Sequence, residues 1–121
     1  MDAAMTGAVA HRAGLAAEAQ VAAEYLRRGV EVIARRWRGR AGELDIVARD
    51  QGEVIFIEVK KSRSFAQAAS RVSQRQILRM QQTACEFLEG EPAGQLTPMR
   101  FDVALVDAQG RIEVLENALG P

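Results

Sequence analysis

Apolar residues recur at helical spacing from Gly14 to Arg28, with Leu15, Ala19, Ala22 and Leu26 on one face and Gly29 as a stop, which predicts a first helix. Val30 to Trp37 is β-branched, ends in an aromatic residue and predicts a strand. A basic, glycine-spaced turn, Arg38-Gly39-Arg40-Ala41-Gly42, leads into two further strands, Glu43 to Arg49 and Glu53 to Lys60, and Asp50-Gln51-Gly52 between them is a hairpin signal. Ser62 to Ser70 is polar and small and reads as a loop with one helical turn. Arg71 to Leu88 predicts a second amphipathic helix, carried by Ile77, Met80, Ala84, Phe87 and Leu88. A loop from Gly90 to Pro98 precedes two last strands, Met99 to Val106 and Arg111 to Leu115, joined by the turn Asp107 to Gly110. The order is αβββαββ. It predicts an α/β domain over residues 14–121, with residues 1–13 as a flexible N-terminal tail. The central sheet is mixed, with four to five strands: three antiparallel, a helical crossover, then a fourth parallel to the third, the helices covering the apolar side.

The hairpin carries the chemistry. A two-residue turn at Gln51-Gly52 sets Asp50 opposite Glu53, Asp45 opposite Glu58 and Glu43 opposite Lys60. Side chains alternate along a strand, so Leu44, Ile46, Ala48, Ile55, Ile57 and Val59 form an apolar face. Glu43, Asp45, Val47, Val54, Phe56, Glu58 and Lys60 form the other, apolar near the turn and charged at its far end. Asp45 and Glu58 would then lie ~5 Å apart at Cβ, where like charges repel. Either one takes a proton or a cation sits between them. Two carboxylates backed by water and phosphate oxygens suit a hard ion such as Mg²⁺ or Mn²⁺. Lys60, on the same face, can reach a water or phosphate oxygen there. A simple cross-strand pair of Glu43 with Lys60, with Asp45 and Glu58 solvated, is the plainer alternative. In the first helix Glu18 lies at the margin of the apolar stripe, where it can point along the sheet, whereas Glu24 falls on the outer face with Arg27 and Arg28.

Composition narrows the field. The chain has 121 residues, 48% hydrophobic and 26% charged, an ordinary globular composition. A single cysteine, Cys85, and a single histidine, His11, exclude a disulfide framework within one chain and most zinc and histidine-triad chemistry. The N-terminus lacks a secretory pattern, no run approaches the ~18 apolar residues of a membrane span, and a cytoplasmic location is expected. Cys85 and Met80 read as core, Trp37 as a core or dimer contact, and Asp102 as the partner of a local Arg or main-chain group.

Net charge is zero but unevenly spread. Residues 25–80 carry thirteen Lys/Arg against six acids, and residues 81–121 two against seven. Arg38 and Arg40 decorate the turn before the second strand. Arg71, Arg75 and Arg79 recur at four-residue intervals and predict a basic helical stripe, and Lys61 and Arg63 follow the third strand. Such residues can track a phosphate backbone without reading bases, or can simply keep a surface soluble.

Gly14…Glu18…Ala22…Tyr25-Leu26…Gly29, Gly42-Glu43-Leu44-Asp45-Ile46-Val47, Phe56-Ile57-Glu58-Val59-Lys60 and Arg100-Phe101-Asp102-Val103 together resemble the YraN-like family of predicted endonucleases. The resemblance spans roughly residues 14 to 118. It implies a restriction-endonuclease-like fold similar to archaeal Holliday-junction resolvases, in which Asp…Glu-x-Lys holds the metal; by position these are Asp45, Glu58 and Lys60, with Glu18 completing the site from the first helix. Leu44 stands where the wider nuclease motif has proline, Ala17 where the family usually has glycine, and Lys61-Ser62 where it usually has Thr-Arg.

The expected function is therefore metal-dependent hydrolysis of a DNA phosphodiester, on branched or otherwise structured DNA in preference to RNA. Asp45, Glu58 and Glu18 would bind Mg²⁺ or Mn²⁺, Lys60 would stabilise or position the nucleophile, and Glu43 would orient Lys60. The resemblance also implies a homodimer, since resolvase-like proteins are commonly dimers and two symmetric cuts would require two copies. The alternative is a non-catalytic nucleic-acid-binding or adaptor protein on the same scaffold.

Overall fold

The structure, a computed structural model, describes the backbone of residues 7–119 and the side chains of residues 14–119. Helix α1 (Gly7–Arg27) is followed by strands β1 (Glu31–Arg38), β2 (Glu43–Asp50) and β3 (Glu53–Lys61). Helices α2 (Phe65–Ser70) and α3 (Gln74–Leu88), a short 3₁₀ turn (Gly94–Leu96) and strands β4 (Met99–Val106) and β5 (Ile112–Leu115) complete the chain. The strands form one sheet in the order β1-β2-β3-β4-β5, antiparallel throughout except for the parallel pair β3–β4. This five-strand mixed sheet flanked by helices is the α/β arrangement expected of a restriction-endonuclease-like fold.

The Gln51-Gly52 turn sets the register as its sequence predicts. Both residues take left-handed φ values, 51° and 85°, the conformation of a type I′ turn, and Asp50 pairs with Glu53, Ala48 with Ile55 and Ile46 with Ile57. The crossover between β3 and β4 holds two helices where one was expected. Ser64 caps α2, its side chain accepting from Gln67 N at 3.2 Å, and Ser73 caps α3 by accepting from Gln76 N at 3.1 Å. Arg71 is therefore the C-cap of α2 and lies outside α3, so the basic helical stripe shortens to Arg75 and Arg79. At the other end α1 begins at Gly7, inside the segment expected to be a tail; residues 1–6 and the side chain of His11 lie outside the described residues.

Helices pack on both faces of the sheet, not on one. Ala17, Val21, Ala22 and Tyr25 of α1 cover Ile46, Ala48, Ile55 and Ile57, with Ala104 and Val106 of β4. Met80, Ala84 and Leu88 of α3 cover Val47, Val54 and Phe56 on the opposite face, where the edge of Phe87 meets both Trp37 and Phe56. The hairpin's second face was thus core near its turn, which frees only its far end for chemistry. Cys85 is exposed, because α3 turns Ala84 and Leu88 inward instead. Among the described residues no helix is long and apolar enough to cross a membrane.

α1 is pinned by a buried polar cluster. The Tyr25 hydroxyl donates to Asp102 Oδ2 at 2.7 Å, and Asp102, fully buried in β4, also accepts from Arg100 Nε and Asn117 N at 3.0 Å each. Asp102 thus holds an arginine and main-chain partner, as its sequence setting suggests. Two turns upstream of Tyr25, on the same side of α1, stands Glu18.

Candidate active site

The sheet comes apart at Asp45. The β2–β3 ladder runs from the turn to Ile46–Ile57 and stops, and on the other side β1 pairs with β2 at Arg35–Ile46 and Trp37–Leu44 but not at Arg36–Asp45. Arg36 has φ 53°, a left-handed conformation that costs a side-chain-bearing residue about 1–2 kcal/mol. Its turn sends Trp37 to the α3 face, and Leu44, the ladder partner of Trp37, goes with it. Strict alternation placed Leu44 with Ile46 and Ala48; the break at Arg36 overrides it. Asp45 is left between the two faces. Its Oδ2 accepts Val59 N–H at 2.9 Å.

Three carboxylates gather at this break. Glu18 comes from α1, Asp45 from β2 and Glu58 from β3, and Glu18 and Glu58 are each only 8% exposed. Asp45 and Glu58 line a cavity of about 190 Å³ with Glu18, Lys60 and Lys61 on the α1 side. They also line one of about 210 Å³ with Glu43, Gln76 and Arg79 on the α3 side. Burial first, then the charges of Glu58 and Glu18, pushes the Asp45 carboxyl up to about 7 against the opposing effects of Val59 N–H and Lys60. Burial also raises Glu18, while Arg36 and Arg35 pull it down. Among the described residues Glu18 Oε1 is buried and makes no hydrogen bond, and Arg36 Nη1 lies 3.8 Å from it.

Lys60 Nζ lies 2.9 Å from Glu58 Oε2. An ammonium has only protons to offer, so the Gln76 amide meets it with its oxygen, at 2.5 Å, and its NH₂ donates to the Arg71 carbonyl at 2.9 Å. Turned over, the same side chain would gain only a 3.4 Å contact with Ser73 N. Glu58 and Gln76 therefore hold Lys60. Glu43, expected to do so, is engaged by Arg36 at 3.7 Å and Arg38 at 3.2 Å. Sequence reasoning missed both Gln76 and Arg36. Ser73-x-x-Gln76 is a capping-box signal that would have started α3 at Gln74 and set Gln76 in its first turn; nothing in the sequence marks Arg36 as left-handed.

The basic residues divide by partner. Arg38 is paired with Glu43, and Arg40 with Glu86, whose carboxylate also accepts the N–H groups of Arg40 and Ala41 and fixes the glycine-spaced turn. Lys61, Arg63, Arg71, Arg75 and Arg79 are exposed, and among the described residues none forms an ion pair.

The donor set suits a hard divalent cation: three carboxylates, one with an unsatisfied buried oxygen and one whose ionisation its neighbours oppose. As the side chains stand, no three His, Cys, Asp or Glu among the described residues are close enough together to share one ion.

Residues 17–106 match the family described as "Uncharacterised protein family UPF0102". A UPF0102 protein of Cereibacter sphaeroides is 63% identical over 114 residues, covering 94% of this chain and 97% of the relative. One from Ruegeria pomeroyi is 58% identical over 110 residues (91% and 89%), and one from Dinoroseobacter shibae 44% over 111 (92% and 83%). On these matches, which span 83% or more of each relative, the chain belongs to the UPF0102, or YraN, family.

Proposed function

We propose that this chain is a divalent-metal-dependent endonuclease that hydrolyses phosphodiester bonds in branched or structured DNA. The observation that carries the reading is the convergence of Glu18, Asp45 and Glu58 on one break in the sheet, with Lys60 held beside them. Asp45, Glu58 and Glu18 would hold Mg²⁺ or Mn²⁺. When bound, such an ion supplies positive charge to phosphoryl oxygens and makes a bound water more acidic. Lys60, oriented by Gln76 and Glu58, donates to a phosphate oxygen or to the attacking water. Among the described residues Lys61, Arg63, Arg71, Arg75 and Arg79 form no ion pair and would offer their charge to the phosphate backbone, whereas Arg38 and Arg40 share theirs with Glu43 and Glu86. Two symmetric cuts would require two copies, hence a homodimer in the cytoplasm.

The short Lys60–Glu58 pair favours a second reading, because it neutralises one acid without any ion: a nucleic-acid-binding module that keeps the scaffold and does no chemistry. A cleavage assay on linear, flapped and four-way DNA with Mn²⁺, wild type beside Lys60→Ala, separates the two. The nuclease cuts in a metal-dependent way and Lys60→Ala does not. Cutting that persists unchanged in the variant contradicts the role given to Lys60, and binding without cutting in the wild type favours the module.

A further inference from the structure

A second basic feature lies beside the carboxylates, a cleft of about 550 Å³ lined by Lys61, Ser62, Arg63, Gln67, Ser70, Arg71 and Ala108. None of these is acidic and none is aromatic. Two of its cations, Lys61 and Arg63, leave the end of β3 in one short run, and the fold brings Arg71, the C-cap of α2, to meet them. The frame that presents them is fixed. Ser62 N donates to Val106 O at 3.0 Å, tying the end of β3 to the end of β4; Ser62 Oγ donates to Gln67 Oε1 at 3.1 Å, and Ser64 caps α2. Asp107, beside Ala108 in the chain, is turned away to Arg111 Nε at 2.6 Å and to the N–H groups of Gln109 and Arg111. Its charge is therefore spent locally. The cavity holding Trp37, by contrast, is lined by Glu86, Glu89 and Glu91.

The cleft joins the carboxylate site. Lys61 lines both, with Lys60, Glu58 and Asp45 on one side of it and Arg63 and Arg71 on the other. Three cations over so short a lining can meet successive phosphates of one strand; a duplex, charged along both strands, would present only one of them to it. Cations without aromatic platforms contact backbone and not bases.

We propose that this cleft holds the phosphate backbone of a single-stranded DNA segment adjoining the scissile phosphate, so that the substrate is DNA with an unpaired strand at the point of cleavage. The inference rests on the nuclease reading for its position relative to the cut, and on the cleft itself for the strand it takes.

The test is fluorescence anisotropy of the full chain in EDTA, with a labelled single strand of about 12 nucleotides, its blunt duplex and a flapped duplex. Wild type is compared with Arg63→Ala/Arg71→Ala and with Arg27→Ala/Arg28→Ala, which removes the same charge from α1 and β1's approach. Single strand and flap are expected to bind more tightly than blunt duplex. The Arg63/Arg71 variant should lose about ten-fold in single-strand affinity at low salt and flatten the slope of log K against log[salt] by about 1.4, while the Arg27/Arg28 variant changes little. Equal losses in the two variants, or blunt duplex bound as tightly as single strand, overturn the proposal. Thermal melting with Mn²⁺ reports on the carboxylates separately. A Mn²⁺ shift kept in Arg63→Ala/Arg71→Ala but without the single-strand preference leaves the nuclease reading and removes the cleft. A cleft-dependent single-strand preference with no Mn²⁺ shift in wild type keeps the strand-binding cleft and removes its place beside a cut.

Discussion

Asp45 Oδ2 accepts the Val59 N–H at 2.9 Å, a donor that the hairpin register, continued, would aim at the Leu44 carbonyl. A side chain has replaced a strand as the acceptor. The replacement opens the sheet at the point where Glu58 and Glu18 arrive, and it fixes a carboxylate whose ionisation the neighbouring acids resist.

That resistance predicts a pH dependence. Asp45 binds its proton more tightly in the folded chain, at about 7, than at the ordinary 3.8. Between those values the folded state holds a proton that the unfolded state lacks, so stability is greatest at the acid end and falls as pH rises through the window. Asp45→Asn removes the charge and keeps an acceptor for Val59. It should stabilise the metal-free chain at pH 8 by about 1–3 kcal/mol, with the gain vanishing near pH 4, as read by thermal melts across that range.

Lys60 is the only cation within ion-pair distance of Glu58 among the described residues. Lys60→Met should destabilise the metal-free chain by about 2–3 kcal/mol at pH 7, since it leaves the buried Glu58 without its ion-pair partner. Mn²⁺ should then raise the melting temperature of the variant more than that of the wild type, because the ion supplies the charge the ammonium supplied. Paired melts with and without Mn²⁺ measure both effects.

The clamp on α1 gives a prediction independent of chemistry. Tyr25→Phe deletes the 2.7 Å hydrogen bond to Asp102 and should cost about 1–2 kcal/mol. Asp102→Asn also removes the buried charge that Arg100 Nε meets, leaving Arg100 with Glu53 alone among the described residues, and should cost more, about 3 kcal/mol. Urea midpoints should fall in that order with the slope unchanged.

Much of this architecture is written locally. Gln51-Gly52 sets a register that carries to Ile46–Ile57, and the long crossover from Lys61 to Met99 dictates that β4 run parallel to β3. Asp45, Glu58 and Lys60 stand out as the charged end of an otherwise apolar hairpin, and Glu18 as an acid at the margin of the apolar stripe of α1. What escaped depends on one backbone dihedral and one packing choice. Arg36, in its left-handed conformation, moves Leu44 to the other face, which no rule of alternation foresees. The apolar run Val54 and Phe56, read with the acids beside it, does not reveal that α3 packs there, because amphipathic α3 carries no mark of which sheet face it will cover. Four-residue spacing alone puts Arg71 on the same helix as Arg75 and Arg79, but Ser73 is the stronger start signal.

The turn itself can be tested. Gln51 stands in a left-handed conformation that Asn adopts more readily, so Gln51→Asn should stabilise the chain by about 0.5 kcal/mol. Gly52→Ala, at φ 85°, should destabilise it by about 1–2 kcal/mol.

The central claim is that Glu18, Asp45 and Glu58 share a divalent ion, and calorimetric titration of Mn²⁺ into the full chain at pH 8 measures it directly. One saturable site in the wild type, lost in Asp45→Ala and Glu58→Ala and weakened in Glu18→Ala, is the result the account predicts. No heat of binding in the wild type, or binding that survives in Asp45→Ala and Glu58→Ala, contradicts it.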